Sequence, residues 1–344
     1  MSIWKILKIW LKREASDIII SPNSKPSLKI DWEVSLIEEM DILNREKLNK
    51  DILSIMSEKQ RKKFLEKKEL DFSIDMKWHS RFRVNAFVQR NGFWLVFRPI
   101  KTEIPDFESL GLPPQILNFT NKKHWLILVT WSVWSWKSTT LASLLKHINK
   151  TKKRHIITVE DPIEFIYKND LSLIEQREVW EHTNTFWNWL KYALRQASDV
   201  IMVWEMRDLE TFKLALRAAE TGNLVLATLH TSWAARTVWR IIDMFPWGEK
   251  EQIKQQLSES LIWVVWQDLI KKSNWTGRTP ACEVLVNNSS ISNMIRKWLT
   301  HQINWAIETG ASDWMFPMKK SLNKLLELNI ISEENYKESL EYLQ

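Results

Sequence analysis

Glycine is nearly missing from this chain, and cysteine almost entirely so. Only 6 of 344 residues are glycine, although ordinary usage is about 7%. The single cysteine, Cys282, excludes a disulfide framework and any cysteine-rich zinc site, and it fits a reducing compartment such as the cytoplasm. No stretch approaches the ~20 consecutive apolar residues that a membrane span requires. From Met1 to Arg13, apolar Ile3, Ile6, Leu7 and Leu11 are interleaved with Lys5, Lys8 and Lys12. That pattern lacks the continuous apolar core of a signal peptide and reads as a short amphipathic helix, so any membrane contact is expected to be peripheral. Internal repeats and low-complexity tracts are also missing.

What is present suffices for a globular protein of two domains. Hydrophobic side chains make up 44% of the chain, and 49 basic against 42 acidic residues leave a net charge of +7. Such a surplus suits nucleic acid or an anionic membrane face, and equally an ordinary solvated surface. Residues 1–100 mix short β-like runs with helical stretches, and Arg90-Asn91-Gly92 between two apolar runs is a hairpin signal. Pro105, Pro113 and Pro114 punctuate 101–114, which reads as a linker. Beyond it, strands alternate with helices over 115–344, a pattern that predicts a largely parallel sheet covered by helices and a helical C-terminal end.

Tryptophan is as abundant as glycine is scarce. There are 22, and the two types together make 28 of 344 residues. Tryptophan also stands where backbone geometry asks for a residue without Cβ. Trp32 follows Asp31 in a turn-like Ile-Asp-Trp-Glu, and Trp275 sits in Ser-Asn-Trp-Thr-Gly. Glycine reaches positive φ and permits close backbone approach, whereas an indole does neither. The expectation is that a codon decoded as glycine in the source, a reassigned UGA, is written here as tryptophan. The alternative is an unusually tryptophan-rich protein.

The densest case is Trp131-Ser132-Val133-Trp134-Ser135-Trp136-Lys137-Ser138. With glycine at its tryptophans it becomes G-x-x-x-x-G-K-[ST], after an apolar strand and before a helix, as a phosphate loop must be. Backbone N–H groups of Ser132, Val133, Trp134, Ser135 and Trp136 would wrap the phosphates, Lys137 would reach the β and γ phosphates, and Ser138 would coordinate Mg²⁺, with Thr139 in the helix's first turn. Carboxylates recur downstream at strand ends. Glu160-Asp161-Pro162-Ile163-Glu164 follows one apolar run, and Val200 to Val203 ends in Trp204-Glu205. Acids there can hold the magnesium shell or orient a water, which makes Glu160 and Glu205 metal candidates beside Ser138. His230, in Leu229-His230-Thr231, follows a third apolar run near the same edge.

These boxes together resemble the hexameric ATPases of secretion and type IV pilus systems, and within them the twitching-motility retraction branch. Ile157 to Glu164 resembles the family's Asp box, Asp199 to Asp208 its Walker B segment, and Thr228 to Thr231 its His box. Gln176-Arg177-Glu178-Val179 and Gln256 to Leu261 are also similar. The resemblance implies a PAS-like N-terminal α+β domain, a RecA-like ATPase domain and a homohexamer using ATP and Mg²⁺. In that analogy Glu164 activates water, Glu205 supports magnesium and water, His230 couples nucleotide state to domain movement, and Arg81, Arg83 and Arg98 are arginine-finger candidates. The implied partners are an inner-membrane pilus platform protein and, indirectly, pilin, with no nucleic acid, at the cytoplasmic face of the inner membrane. Ser290-Ile291-Ser292-Asn293-Met294-Ile295-Arg296 resembles the retraction branch's C-terminal signature with three positions altered. An accessory pilus or DNA-uptake ATPase, a nucleic-acid motor and a non-catalytic assembly protein are the alternatives.

Overall fold

The computed structural model describes residues 3–13, 15–30, 33–76, 80–100, 103–131, 137–179, 182–183, 185–206, 208–274 and 277–341. The chain divides into two compact units, Met1–Glu103 and Ile104–Gln344.

The first unit is built on a six-stranded antiparallel sheet of β1 (Asp17–Ile20), β2 (Ser27–Ile30), β3 (Glu33–Leu36), β4 (Glu69–Met76), β5 (Ser80–Gln89) and β6 (Gly92–Ile100), in the order β3-β2-β1-β6-β5-β4. Alternation sorts its faces. Ile18, Ile20, Phe82, Val84, Ala86, Leu95 and Phe97 point into the core. Three helices cover it: α1 (Ile3–Arg13), α2 (Arg45–Ser54) and α3 (Glu58–Lys67). Ile3, Ile6 and Leu7 of α1 are buried in this core, so the amphipathic helix spends its described apolar face inside its own unit. Ser57 and Gln60 form a capping box that starts α3, satisfying N–H groups a helix end leaves open. The expected hairpin joins β5 to β6, with Gln89 opposite Gly92. Gly92 has φ +132, and a Cβ there would meet Arg45, Asn49 and Pro22 at 3.2–3.3 Å, so close approach as well as conformation requires glycine.

The second unit carries β7 (Trp125–Trp131), β8 (His155–Glu160), β9 (Leu173–Glu178), β10 (Val200–Val203), β11 (Leu224–Leu229), β12 (Leu261–Lys271) and β13 (Arg278–Val286) in the order β13-β12-β7-β11-β10-β8-β9. All neighbours are parallel except β12 and β13. Helices α4 (Lys137–Thr151), α5 (Phe186–Ala193), α6 (Leu209–Glu220), α7 (Ala234–Asp243), α8 (Trp247–Ser260), α9 (Ser289–Arg296), α10 (Ile303–Thr309), α11 (Met318–Glu327) and α12 (Glu333–Glu341) complete it. Every residue of β10 and β11 is buried, which is why they read as unbroken apolar runs. Leu126 and Leu128 join one core while Ile127 and Val129 join another on the opposite face. Part of the expected linker lies within this unit: Phe107, Leu110 and Leu112 are buried in its core, and the Ser143 hydroxyl of α4 donates to the Pro105 carbonyl at 2.8 Å. Prolines punctuate this stretch, but its apolar side chains anchor it.

Among the described residues, eight non-glycine residues have positive φ, and four are tryptophan: Trp125 (φ 139), Trp233 (φ 67), Trp298 (φ 55) and Trp314 (φ 66). For so bulky a residue such conformations are outliers. The buried indole N–H groups of Trp94, Trp189, Trp263 and Trp266 find no acceptor among the described residues.

Candidate functional site

Parallel pairing brings four sequence segments to one edge of the second unit's sheet. In the central strands β7, β11, β10 and β8 the C-terminal ends face the same way. Trp131 ends β7 and Lys137 opens the fifteen-residue α4, so the strand and helix that a phosphate loop joins are in place, with the N–H groups of a helix start directed at whatever binds there. Ser132, Val133, Trp134, Ser135 and Trp136 lie outside the described residues, as do the side chains of Lys137 and Ser138. Beside β7, β11 delivers His230; next, β10 delivers Glu205; then β8 ends at Glu160, from which the chain runs on to Glu164. His230 Nε2 lies 3.2 Å from Glu205 Oε1, and the Glu205 side chain is 14% exposed against 45% for His230. A mostly buried acid beside a half-open imidazole can hold a cation or orient a water while the ring stays within reach of a ligand. Backbone ties fix the pair, since the Met206 N–H donates to the Thr228 carbonyl at 3.2 Å and the Thr228 hydroxyl donates to the Trp204 carbonyl.

Glu160 takes a different place from the one expected of a magnesium ligand. It is 1% exposed, and both carboxylate oxygens are engaged inward. Oε1 accepts from the Thr158 hydroxyl at 2.8 Å and the Gln176 amide at 3.2 Å, while Oε2 accepts from the Glu164 N–H at 3.1 Å. Burial pushes its pKa up to about 7, against the pull of those hydrogen bonds and with help from the charge of Glu178. Glu160 therefore acts as an internal tie for the segment carrying Glu164. That segment, 161–168, has no regular secondary structure, and Glu164 itself is partly exposed.

The three arginines belong to the first unit. Arg81 and Arg83 alternate with buried Phe82 and Val84 on β5, and Arg98 on β6 sits opposite Arg83, so all three share the sheet face away from the core. The Arg81 guanidinium donates to the Ser73 hydroxyl at 2.6 Å, and that of Arg98 to Asp17 at 2.9 Å. Sequence reasoning missed Thr158 and gave no role to Gln176 or Glu178. Cys282, the lone thiol, is buried in the second unit's core, where desolvation pushes it up to about 12.

Comparison with known proteins identifies this arrangement. The sequence profile of the family described as Type II/IV secretion system protein matches residues 2–312. The chain belongs to that family. It is 42% identical over 338 residues to the type IV pilus retraction ATPase PilT of Pseudomonas aeruginosa, covering 98% of each. It is also 44% identical over 292 residues to a twitching motility protein of Neisseria gonorrhoeae, covering 85% of this chain and 78% of that one. The crystal structure of the pilus retraction motor PilT with bound ADP superposes with a TM-score of 0.92 at 41% identity, covering 98% of this chain and 96% of that one. Within the family, the fold read from the strand and helix pattern is therefore the fold observed, an antiparallel N-terminal sheet followed by a mostly parallel one.

Proposed function

We propose that the chain is an ATP-hydrolysing motor that withdraws type IV pili, working as a homohexamer at the cytoplasmic face of the inner membrane. One observation supports this reading: the strand and helix flanking the expected phosphate loop, the end of β8 that leads to Glu164, and the Glu205–His230 pair lie along one sheet edge in a chain 42% identical to a retraction ATPase over 98% of its length. Lys137 and the start of α4 take the phosphates, and Ser138 and Glu205 would hold Mg²⁺, which when bound neutralises charge on the β and γ phosphates. Glu164 orients the attacking water and takes its proton, and His230, beside Glu205, registers whether the γ phosphate is there. Arg81, Arg83 and Arg98, displayed on one sheet face, are the candidates for supplying positive charge to the transferring group. The partners on this reading are an inner-membrane platform protein and, through it, pilin.

We infer further that glycine occupies many of the tryptophan positions in the protein as its source makes it. Support comes from the four tryptophans at positive φ and from four buried indole N–H groups without acceptors among the described residues. It comes also from indoles left in solvent, Trp247 being 80% and Trp305 66% exposed. A positive φ costs roughly 1–3 kcal/mol for a residue with Cβ and nothing for glycine, and an unpaired buried indole N–H costs about 1–3 kcal/mol. An open phosphate loop depends on the same substitution at 131, 134 and 136.

The test is ATP hydrolysis, with sizing, on two versions: one with tryptophan and one with glycine at all 22 positions. A hexameric ATPase from the glycine version alone is expected. Equal hydrolysis by the tryptophan version would overturn the recoding, and a silent glycine version would overturn the motor.

A further inference from the structure

The Gln176-Arg177-Glu178-Val179 segment resembles the family without having been given a task, and the side chains of Gln176 and Glu178 are spent on the loop that carries Glu164. In the parallel register of β8 and β9, Thr158 pairs with Gln176 and Glu160 with Glu178, so four polar side chains line one sheet face at its C-terminal edge. Burying such groups costs free energy unless each is hydrogen-bonded. Here they are bonded, and mostly to the loop's backbone. Glu178 Oε2 accepts from the Ile163 N–H at 3.2 Å, and Glu160 Oε2 from the Glu164 N–H at 3.1 Å. The Gln176 amide donates to the Phe165 carbonyl at 2.7 Å and to Glu160 Oε1 at 3.2 Å, and its oxygen accepts from the Tyr167 N–H at 2.9 Å. From α4, Asn149 continues the clamp by donating to the Lys168 carbonyl at 2.8 Å and accepting from the Asp170 N–H at 3.1 Å.

We infer that Gln176 is a positioning residue that fixes Glu164 for hydrolysis, by clamping Phe165 and Tyr167 directly and by steering the Glu160 carboxylate that holds the Glu164 N–H. A loop without helix or strand bonds of its own has its backbone groups satisfied by these side chains, and the clamp sets where the Glu164 carboxylate points. Misplacement of a reacting group by about 1 Å costs on the order of a hundredfold in rate. Gln176 reaches further than Glu160 or Glu178, because it alone grips both a carbonyl and an N–H of the loop while touching the acid that supports Glu164.

This inference rests on the reading of Glu164 as the water-activating group, and the experiment separates the two. Gln176→Met, Glu164→Gln and the double variant are made in the chain carrying glycine in the phosphate loop, and kcat, KM for ATP and thermal midpoint are measured. Q176M is expected to lower kcat about tenfold or more with KM unchanged, and to add nothing to the loss already caused by E164Q. The same fractional loss in both backgrounds, or a lowered midpoint with unchanged kcat, would overturn the positioning role. Wild-type hydrolysis by E164Q would instead overturn the role of Glu164, and the inference with it. Should Q176M not fold, Gln176→Asn keeps both amide groups with a shorter reach and is read the same way.

Discussion

At the residue scale, Glu160 shows what it costs to tie the 161–168 loop from the inside. Its pKa is about 7 in the folded chain against an ordinary 4.5, so the unfolded chain ionises first as pH rises. Below about 4.5 both states are protonated and the group has no effect. Between about 4.5 and 7 stability falls, and above 7 the loss is complete, of order 3 kcal/mol. Glu160→Gln removes this titration. Its stability relative to the parent chain, measured by urea unfolding at about pH 5 and about pH 8, should therefore shift in its favour by up to about 3 kcal/mol. A pH-independent difference would mean that Glu160 is ionised in the folded protein. The offset at low pH carries a separate cost, because a glutamine cannot accept from the Thr158 hydroxyl, the Gln176 amide and the Glu164 N–H together.

At the scale of elements, the turns that end and begin secondary structure are where tryptophan fits worst. Trp314 caps a short 3₁₀ turn in the left-handed region, with φ 66 and ψ 16, and is 54% exposed. Trp233 precedes the first residue of α7 at φ 67 and ψ 133 and stacks on Trp266 with ring centroids 5.0 Å apart. The left-handed conformation costs a residue with Cβ roughly 1–2 kcal/mol, and at Trp314 little buried surface offsets it. Trp314→Gly should stabilise the chain by about 1 kcal/mol in urea unfolding, whereas Trp314→Ala should recover little, since alanine meets the same backbone penalty. Equal gains from both would trace the effect to the indole's surface and not to φ.

The whole molecule joins an antiparallel unit carrying three arginines on one face to a parallel unit carrying the carboxylates on one edge. Peptide mass spectrometry of the protein isolated from its source cell tests the glycine reading across the chain: glycine is expected at 125, 131, 134, 136, 233, 298 and 314. Tryptophan at those positions would leave a blocked phosphate loop and make the chain a non-catalytic member of its family. Much of the candidate site is a reading in one dimension. A phosphate loop is a local pattern, acids placed directly after apolar runs mark strand ends, and the hairpin at Arg90 to Gly92 needs only adjacent residues. The linker 101–114 is a reading of its prolines, yet Phe107, Leu110 and Leu112 bind its later part to the second unit's core, a contact made with residues far along the chain.

The sequence by itself carried the plan of a mixed α+β unit followed by alternating strands and helices, because that follows from periodicity, and it offered a phosphate loop with Glu164, Glu205 and His230 as candidates, through short motifs and a family resemblance. It also exposed the glycine deficit, through composition alone. Only the tertiary structure decided that Glu160 turns inward and that Gln176 and Glu178 hold the loop beyond it. Those contacts depend on which strands lie side by side and in what register, and parallel neighbours such as β8 and β9 are joined by a crossover whose length carries no statement of that pairing. The inward path of α1's apolar face was likewise settled by packing, since an amphipathic helix looks the same in sequence whether a core or a lipid surface receives it.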